Sequence, residues 1–189
     1  MSLLINKCTG YCDDGFQVLI FIDDCRKLEV QQEPQCSRYT QIGTCRGGWE
    51  FFQESCYYFG TQKATWPEAE AYCMSMNSML TEIETKAESN FLESRLRVIH
   101  NHTSSADQNE VSYWLGGNDI EIEGVFKWVK SDAPLTFTDW NPGQPDDANG
   151  EDCMELRGDF HYHWNDLPCT IPHHFICESS AFEAPIIGK

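Results

Sequence analysis

The sequence predicts an α+β fold with a small cysteine-rich unit at its N-terminus. Two Thr-x-x-Glu capping boxes, at Thr65 and Thr85, mark the starts of two helices. Short runs rich in aromatic and β-branched residues follow them, which is typical of strands. Ten cysteines, none in a CxxC pair, indicate a disulfide framework formed in an oxidising compartment rather than a zinc ribbon or a redox motif. Helices followed by short strands favour the α+β class.

Composition limits the number of domains and the partners. The chain has 189 residues, of which 41% are hydrophobic and 13% aromatic, as in a packed globular protein. We predict three regions: a Cys-rich segment over residues 1–40, a main domain over 41–179 and a short tail over 180–189. A net charge of −17 argues against nucleic acid or an anionic membrane as a direct partner. No apolar run reaches about 18 residues, so we expect no membrane insertion.

The N-terminal segment carries four cysteines around the apolar run VLIFI at residues 18–22, which we predict to be one buried strand. These cysteines are Cys8, Cys12, Cys25 and Cys36. Four cysteines permit three pairings, and all three stay open. We interpret the segment as a structural cap or spacer.

From Cys45 onward the pattern is that of a hairpin, then helices, then strands. Residues 49–59 predict a strand pair, with Cys45 and Cys56 close enough to staple it. We expect a first helix over residues 68–76 and a second one that ends near His100. The predicted buried positions are Ala69, Tyr72, Cys73 and Met76 on the first helix, and Phe91, Leu92, Leu96 and Ile99 on the second. Further strands are predicted at residues 111–115, 126–129, 153–156 and 174–177.

The segment over residues 139–166 is the most informative part of the chain. It holds eight carboxylates against a single arginine, Arg157. Such a crowd in a loop rich in Gly, Pro and Asn favours Ca²⁺, which takes about six to eight oxygen ligands. A solvated acidic loop is the alternative. Four aromatic residues interrupt the run, and Cys153 and Cys169 are placed to pin it, which favours the calcium site.

Several separated motifs together resemble a C-type lectin domain, from Cys45 to Glu178. They are the Cys45/Cys56 pair, a helix-borne Cys73, the strand Trp114-Leu115-Gly116, the triplets Gln144-Pro145-Asp146 and Trp164-Asn165-Asp166, and Cys153, Cys169 and Cys177. A QPD triplet alone is a weak signal, whereas QPD followed by a cysteine, WND and two more cysteines is specific. The resemblance implies the disulfide bonds Cys45–Cys56, Cys73–Cys177 and Cys153–Cys169.

The resemblance also implies two sets of calcium ligands. The sugar-binding ion would take oxygens from Gln144, Asp146, Glu151, Asn165 and Asp166. An auxiliary ion would take Asp119, Glu123, Asp147 and Asp152, with Glu151 shared between the two ions. We expect Trp164 to pack beneath the site. Because the residues on both sides of Pro145 must face one ion, we also expect a cis Gln144–Pro145 bond.

In the family, Gln-Pro-Asp goes with galactose or N-acetylgalactosamine and Glu-Pro-Asn with mannose. We therefore expect a galactose-type preference. No Trp follows QPD directly, so the candidates for stacking on the sugar are Phe160, His161, Tyr162 and His163, and we place Tyr162 in the carbohydrate site. The expected partners are galactose-type glycans on cell surfaces or microbes, as in innate immune recognition.

Other interpretations are weighed against this one. Histidines at 161, 163, 173 and 174 raise the possibility of zinc hydrolysis, but they lack a helical HExxH context, so we predict no enzyme. Mannose-type glycans, or a protein or mineral surface bound without sugar, are the alternatives within the resemblance. The cysteines predict a secreted, extracellular protein, and the sequon at Asn101 predicts a glycoprotein. Since one shallow site binds weakly, we also expect a homo-oligomer, or clustering through the N-terminal unit.

Overall fold

The computed structural model describes residues 6–11, 17–22, 43–101, 111–148 and 150–183. The chain divides into two compact units, one drawn from Met1–Thr44 with Phe182–Lys189 and the other spanning Cys45–Ala181. Within these described ranges no helix is both long enough and apolar enough to cross a membrane.

The first unit contains two pairs of antiparallel strands. Strands β1 (Asn6–Tyr11) and β2 (Gln17–Ile22) form a hairpin, and β3 (Gly43–Thr44) pairs with β12 (Phe182–Glu183). Strand β2 covers the predicted VLIFI strand, whereas β1 was not predicted. The pairing of the four N-terminal cysteines lies outside the described residues.

The second unit is an eight-stranded sheet with two helices, which confirms the predicted α+β class. Its elements, in chain order, are β4 (Glu50–Phe52), β5 (Ser55–Phe59), α1 (Trp66–Ser75), β6 (Met79–Leu80), α2 (Lys86–Ile99), β7 (Tyr113–Asn118), β8 (Lys127–Trp128), β9 (Cys153–Leu156), a 3₁₀ turn (Gly158–Phe160), β10 (Trp164–Leu167) and β11 (His174–Ser180). The sheet order is β10-β9-β7-β11-β5-β4, with β6 on β11 and β8 on β7. Strands β7 and β11 pair in parallel, and the other pairs are antiparallel.

Both predicted helix starts are present, but their caps differ. At α1, the Glu68 carboxylate accepts from Thr65 N (2.9 Å) and Thr65 Oγ1 (2.8 Å). At α2, Thr85 Oγ1 accepts from Glu88 N, while the Glu88 carboxylate accepts instead from Tyr57 OH (2.7 Å) and Glu84 N (2.9 Å). The second capping box is therefore half formed, because the buried Glu88 carboxylate links α2 to the hairpin through Tyr57 instead of accepting from the N-cap backbone.

Two predicted core positions are wrong. Ile99 is 42% exposed because it lies at the last residue of α2, and Tyr72 is 37% exposed on the outer edge of α1. Leu92, Leu96 and Ala69 are buried as predicted.

Close packing fixes how β7 crosses the sheet. Trp114 and Leu115 are fully buried, and a Cβ added to Gly117 would lie 2.0 Å from Met154 Sδ on β9. A Cβ added to Gly116 would lie 2.9 Å from the backbone oxygen of Leu80 on β6, so the two glycines that follow Trp114 make room for different neighbours.

The three disulfide bonds implied by the resemblance are all present. Cys45–Cys56 staples the segment before β4 to β5, and Cys73–Cys177 joins α1 to β11 across a sequence separation of 104. Cys153–Cys169 joins the start of β9 to the segment between β10 and β11. The last bond closes the base of the acidic segment.

Candidate functional site

The long loop between β8 and β9 forms backbone hydrogen bonds with β10, and near its midpoint Asp139 bonds to α2. Asp139 accepts hydrogen bonds from Lys86 Nζ (2.9 Å) and Ser89 Oγ (2.6 Å). The backbone pairs with β10 through Trp164 N to Asp139 O (3.0 Å) and Asn141 N to Trp164 O (2.9 Å). These bonds fix the path of the loop before it reaches the acidic residues.

Aromatic residues support the loop from beneath. Trp164 is fully buried and meets Trp140, Trp128 and Phe137 edge to face, with ring centroids 5.6–6.0 Å apart. The prediction that Trp164 packs beneath the site is therefore confirmed.

Three carboxylates converge at the end of the loop. One oxygen from each of Asp146, Glu151 and Asp166 lies within 4.8 Å of the others. Asp166 is buried on β10, and its Oδ2 accepts from the backbone N–H groups of Asp146 (3.0 Å) and Asp147 (2.8 Å). The Gln144–Pro145 peptide bond is cis, as expected. The strand thus sets the position of the loop carboxylates.

The electrostatics of this cluster favour a cation. Burial raises the pKa of Glu151, and the charges of Asp166 and Asp146 raise it further. Carboxylates at this separation repel each other, and a divalent ion between them removes that repulsion.

Two amide oxygens complete a donor set that suits calcium. Gln144 Oε1 and Asn165 Oδ1 are buried and have no hydrogen-bond partner within the described part of the chain. A buried carbonyl oxygen without a partner is costly, and coordination of a hard cation satisfies it. The five residues that the resemblance implied for the sugar-binding ion therefore fit that ion by the chemistry of their oxygens.

The N–H groups of Asn165 are already engaged. Its Nδ2 donates to Glu155 Oε1 (3.0 Å) and also to the backbone oxygen of Asp166. In this arrangement Gln144 is the amide of the pair that remains able to donate to a ligand.

The second predicted set of ligands is less closely assembled. Asp119 Oδ2 accepts from Gly124 N (2.8 Å), and Asp119 Oδ1 is buried with no partner among the described residues. Burial and the charges of Asp119, Asp147 and Asp152 raise the pKa of Glu123, so the four acids are neighbours. However, over the described ranges only Asp146, Glu151 and Asp166 form a group of three or more such side chains with ligand atoms within 4.8 Å of one another. The auxiliary site stays a prediction.

The structure corrects the expected stacking residue. Tyr162 is 8% exposed and packs in the core. His161 and Tyr162 both have a left-handed backbone (φ of 58° and 67°), and this turn after the 3₁₀ segment leaves His161 exposed and Tyr162 buried. A buried ring offers no face to a sugar, so of the four candidates His161 is the exposed one.

The sequence reasoning missed a role for Glu155, which it counted only as one loop carboxylate. The structure buries Glu155 within β9, where burial raises its pKa to about 7. The sequence signal for this burial was a glutamate in a predicted strand in which the other residues are all apolar. The sequon residue Asn101 is exposed just after α2, and the rest of the sequon lies outside the described residues.

An α+β domain that presents a disulfide-clamped loop lined with acid and amide oxygens defines the class of C-type lectin-like binding domains. The chain belongs to the C-type lectin domain family, because the model of the Lectin C-type domain matches residues 62–179.

Known relatives agree with this assignment. The chain is 40% identical to perlucin of Haliotis laevigata over 139 residues, which cover 71% of this chain and 82% of perlucin. It is similar to the cow C-type carbohydrate-recognition domain of CD23, crystallised in the presence of a GlcNAc2Man3 oligosaccharide, with a TM-score of 0.63 and 33% identity over 74% of this chain and 98% of that one. A calcium-independent type II antifreeze protein has the same TM-score, with 25% identity over 75% and 98% of the two chains.

Proposed function

We propose that this protein binds carbohydrate through one calcium ion held by Gln144, Asp146, Glu151, Asn165 and Asp166. The observation that carries the proposal is the convergence of three carboxylates within 4.8 Å, beside two buried amide oxygens without partners among the described residues. The family supports carbohydrate binding in general. The protein acts by binding and not by catalysis.

In the proposed site the sugar is bound in two ways, by coordination to the calcium ion and by hydrogen bonds to protein side chains. When bound, calcium supplies positive charge that can accept lone pairs from two sugar hydroxyl groups. Asp146 and Glu151, which are exposed and half-buried, offer carboxylate oxygens that accept from the hydroxyl protons. Bonds to these ionised acceptors are the stronger, charge-assisted kind. The Gln144 amide nitrogen has no partner among the described residues and can donate to the sugar.

We propose a galactose-type preference because the order of amide and acid is Gln144 then Asp146. In this order the Gln144 amide can donate to one sugar hydroxyl and the Asp146 carboxylate can accept from the other. In the family, the QPD triplet goes with galactose-type ligands. A mannose-type preference is the alternative that the same geometry permits.

The wider setting belongs to the same proposal. We propose secretion to the extracellular space, glycosylation at Asn101, and a spacer role for residues 1–40 beside a lectin domain over 41–179. A single shallow site of this kind has millimolar to sub-millimolar affinity, about 4–5 kcal/mol of binding free energy. Oligomers that present several sites would then give useful binding to glycans on cells or microbes.

Calcium titration calorimetry tests the site. The wild-type protein should bind calcium, and Glu151→Gln should bind it far more weakly because one charged ligand is lost. Asp132→Asn is the matched control: it removes one carboxylate from an exposed residue that pairs with Lys127 (2.6 Å) away from the cluster. Equal losses in the two variants would contradict the assignment.

Affinity chromatography tests the ligand. The wild-type protein should bind immobilised galactose in calcium and elute with chelator. A glycan array with and without calcium then ranks the sugars.

A second candidate function is binding to a non-sugar surface without calcium. The observation that favours it is the equal structural similarity to the calcium-independent antifreeze protein. Retention on a protein or mineral surface that is unchanged by chelator, with no calcium-dependent signal on the array, would support it over carbohydrate binding.

A further inference from the structure

Glu155 lies directly opposite Asn165 in the antiparallel register of β9 and β10. Side chains opposite each other in a sheet project from the same face and meet. Both residues are 1% exposed, so their contact is shielded from solvent.

This contact, together with the bond from Asn165 Nδ2 to the backbone oxygen of Asp166, fixes which end of the Asn165 amide is presented outward. Asn165 Nδ2 donates to Glu155 Oε1 at 3.0 Å, and its Oδ1 is left without a partner among the described residues. Rotation of the amide by 180° would bring the oxygen against the Glu155 carboxylate and turn the NH₂ group away from it. That orientation offers N–H groups, which cannot coordinate a cation, in place of the oxygen.

On its other side Glu155 is enclosed by packing, and its Oε2 has no hydrogen-bond partner among the described residues. On β7, Trp114 is its register partner, and His173 Nδ1 lies 3.7 Å from Glu155 Oε2. The His173 ring packs edge to face against Trp114 at 5.3 Å. The carboxylate thus has a fixed position between two strands and a packed aromatic pair.

We propose that Glu155 is a positioning residue for the calcium site: it holds the Asn165 amide so that Oδ1 faces the ion. Glu155 does not belong to the group of carboxylates that converge on the site. It acts through Asn165, as outer-shell partners do when they orient ligands. This inference rests on the proposed calcium site.

Two substitutions separate positioning from general stability. Glu155→Met removes the acceptor but keeps an unbranched apolar side chain beside Trp114. It relieves the burial of a carboxylate but leaves one buried Asn165 N–H without its acceptor, and since these effects oppose each other the melting temperature in chelator should change little. The calcium affinity should nevertheless fall by about 10–100-fold, the usual effect of losing an outer-shell partner.

Glu155→Gln keeps an acceptor oxygen for Asn165, so its calcium affinity should lie between those of the wild type and Glu155→Met. The matched control is Glu178→Met, which removes another buried glutamate from the same sheet, on β11, and should leave calcium affinity unchanged. NMR of the Asn165 side-chain NH₂ in chelator gives a direct readout. The proton that Glu155 accepts should be protected from exchange in the wild type and Glu155→Gln, and lose protection in Glu155→Met, while the proton bonded to the Asp166 backbone should not change.

The outcomes are distinct. Equal calcium affinity in the wild type and Glu155→Met overturns the positioning role and leaves the proposed function intact. A loss of affinity matched by an equal loss of stability in chelator also overturns it, since the effect is then structural. A wild-type protein that binds no calcium overturns the proposed function and this inference with it.

Discussion

The two amides of the site, Gln144 and Asn165, have different neighbours and so different roles. Asn165 has both N–H groups engaged by Glu155 and by the backbone of Asp166, which leaves its oxygen for the ion. Gln144 is half-buried on the loop and has no such anchor on its amide nitrogen among the described contacts. The choice between sugars should therefore depend on Gln144 and its neighbour Asp146.

The double substitution Gln144→Glu with Asp146→Asn tests this dependence. It keeps an oxygen at both positions and the same total charge, so calcium affinity should change little. Donor and acceptor exchange places, so the preference should move from galactose-type towards mannose-type sugars. A shift of about 1–2 kcal/mol, the effect of one or two misplaced hydrogen bonds, is measurable by monosaccharide competition.

The control for this exchange is Glu151→Gln, which should weaken the binding of both sugars by weakening calcium. If the double variant keeps calcium and its original ranking, residues outside the QPD triplet select the sugar.

A buried carboxyl on the opposite side of the sheet gives a prediction for pH. Burial, with the charges of Glu88 and Glu82, raises the pKa of Glu178 from 4.5 to about 7, although its hydrogen bonds from Ser55 Oγ and Glu82 N oppose the shift. The folded protein therefore holds a proton that the unfolded chain releases. The stability that this proton gives is fully present below pH 4.5 and is lost as the pH rises through about 7.

Glu178→Gln should remove this dependence, because glutamine can accept from Glu82 N and donate to Ser55 Oγ. Between pH 5 and pH 8 the free energy of unfolding of the variant, relative to the wild type, should rise by about 2 kcal/mol. Denaturant unfolding in saturating calcium at both pH values measures it, and the contribution of the ion cancels in the difference. The same pH slope in both proteins would contradict the assignment.

Among the elements, the long loop depends on fixed points at its base. The Cys153–Cys169 bond joins the start of β9 to the segment after β10, and these two strands carry Glu155, Asn165 and Asp166. The bond should therefore affect the geometry of the site as well as the stability of the fold.

Replacing both cysteines of this bond with alanine should lower the free energy of unfolding by about 3 kcal/mol, as expected for a loop of this length. Calcium affinity should fall as well. The control is Cys45→Ala with Cys56→Ala, which opens a loop of similar size (separations of 11 and 16) at the hairpin. Calorimetry that finds the same calcium affinity in both double variants would show that the bond does not shape the site.

Much of the fold follows from local sequence, because local signals set the helix starts and the strand centres. Strand β9 was predicted with its observed bounds, and both capping threonines were found. Ile99 was assigned wrongly because a 3.6-residue pattern does not show where a helix leaves the core. Tyr162 was assigned wrongly because a left-handed turn decides which of two adjacent side chains is buried. In a sequence, only Gly and Asn indicate such turns reliably, and neither residue is present at positions 161 and 162.

The site was less accessible to sequence reasoning than the fold. The motif triplets indicated the ligands through resemblance, but the cross-strand pair of Glu155 with Asn165 depends on the register of β9 and β10. Register is a tertiary property set by the hydrophobic faces and the turn between the strands.

For the whole molecule, the excess of negative charge makes calcium part of the stability. The chain carries a net charge of −17, and the cluster of Asp146, Glu151 and Asp166 concentrates part of it. Chelator should therefore lower the melting temperature. At a hundredfold excess of calcium over its dissociation constant the native state gains about 2.7 kcal/mol.

Scanning calorimetry in calcium and in chelator measures this gain. Glu151→Gln should show little difference between the two conditions, whereas Asp132→Asn should respond as the wild type does. An identical melting point for the wild type in both conditions would contradict a calcium site.

The disulfide bond between Cys73 and Cys177 also decides how the protein bears mechanical load. A pull applied to the two chain ends follows the shortest covalent route, which crosses from residue 73 to residue 177 through the sulfur atoms. Every proposed calcium ligand, from Asp119 to Asp166, lies in the stretch that this route bypasses. A protein pulled through its two ends can therefore be stretched at its margins while its binding site carries no tension along the chain. In single-molecule pulling, the 103 residues between those two cysteines should add nothing to the released contour length until the bond is reduced.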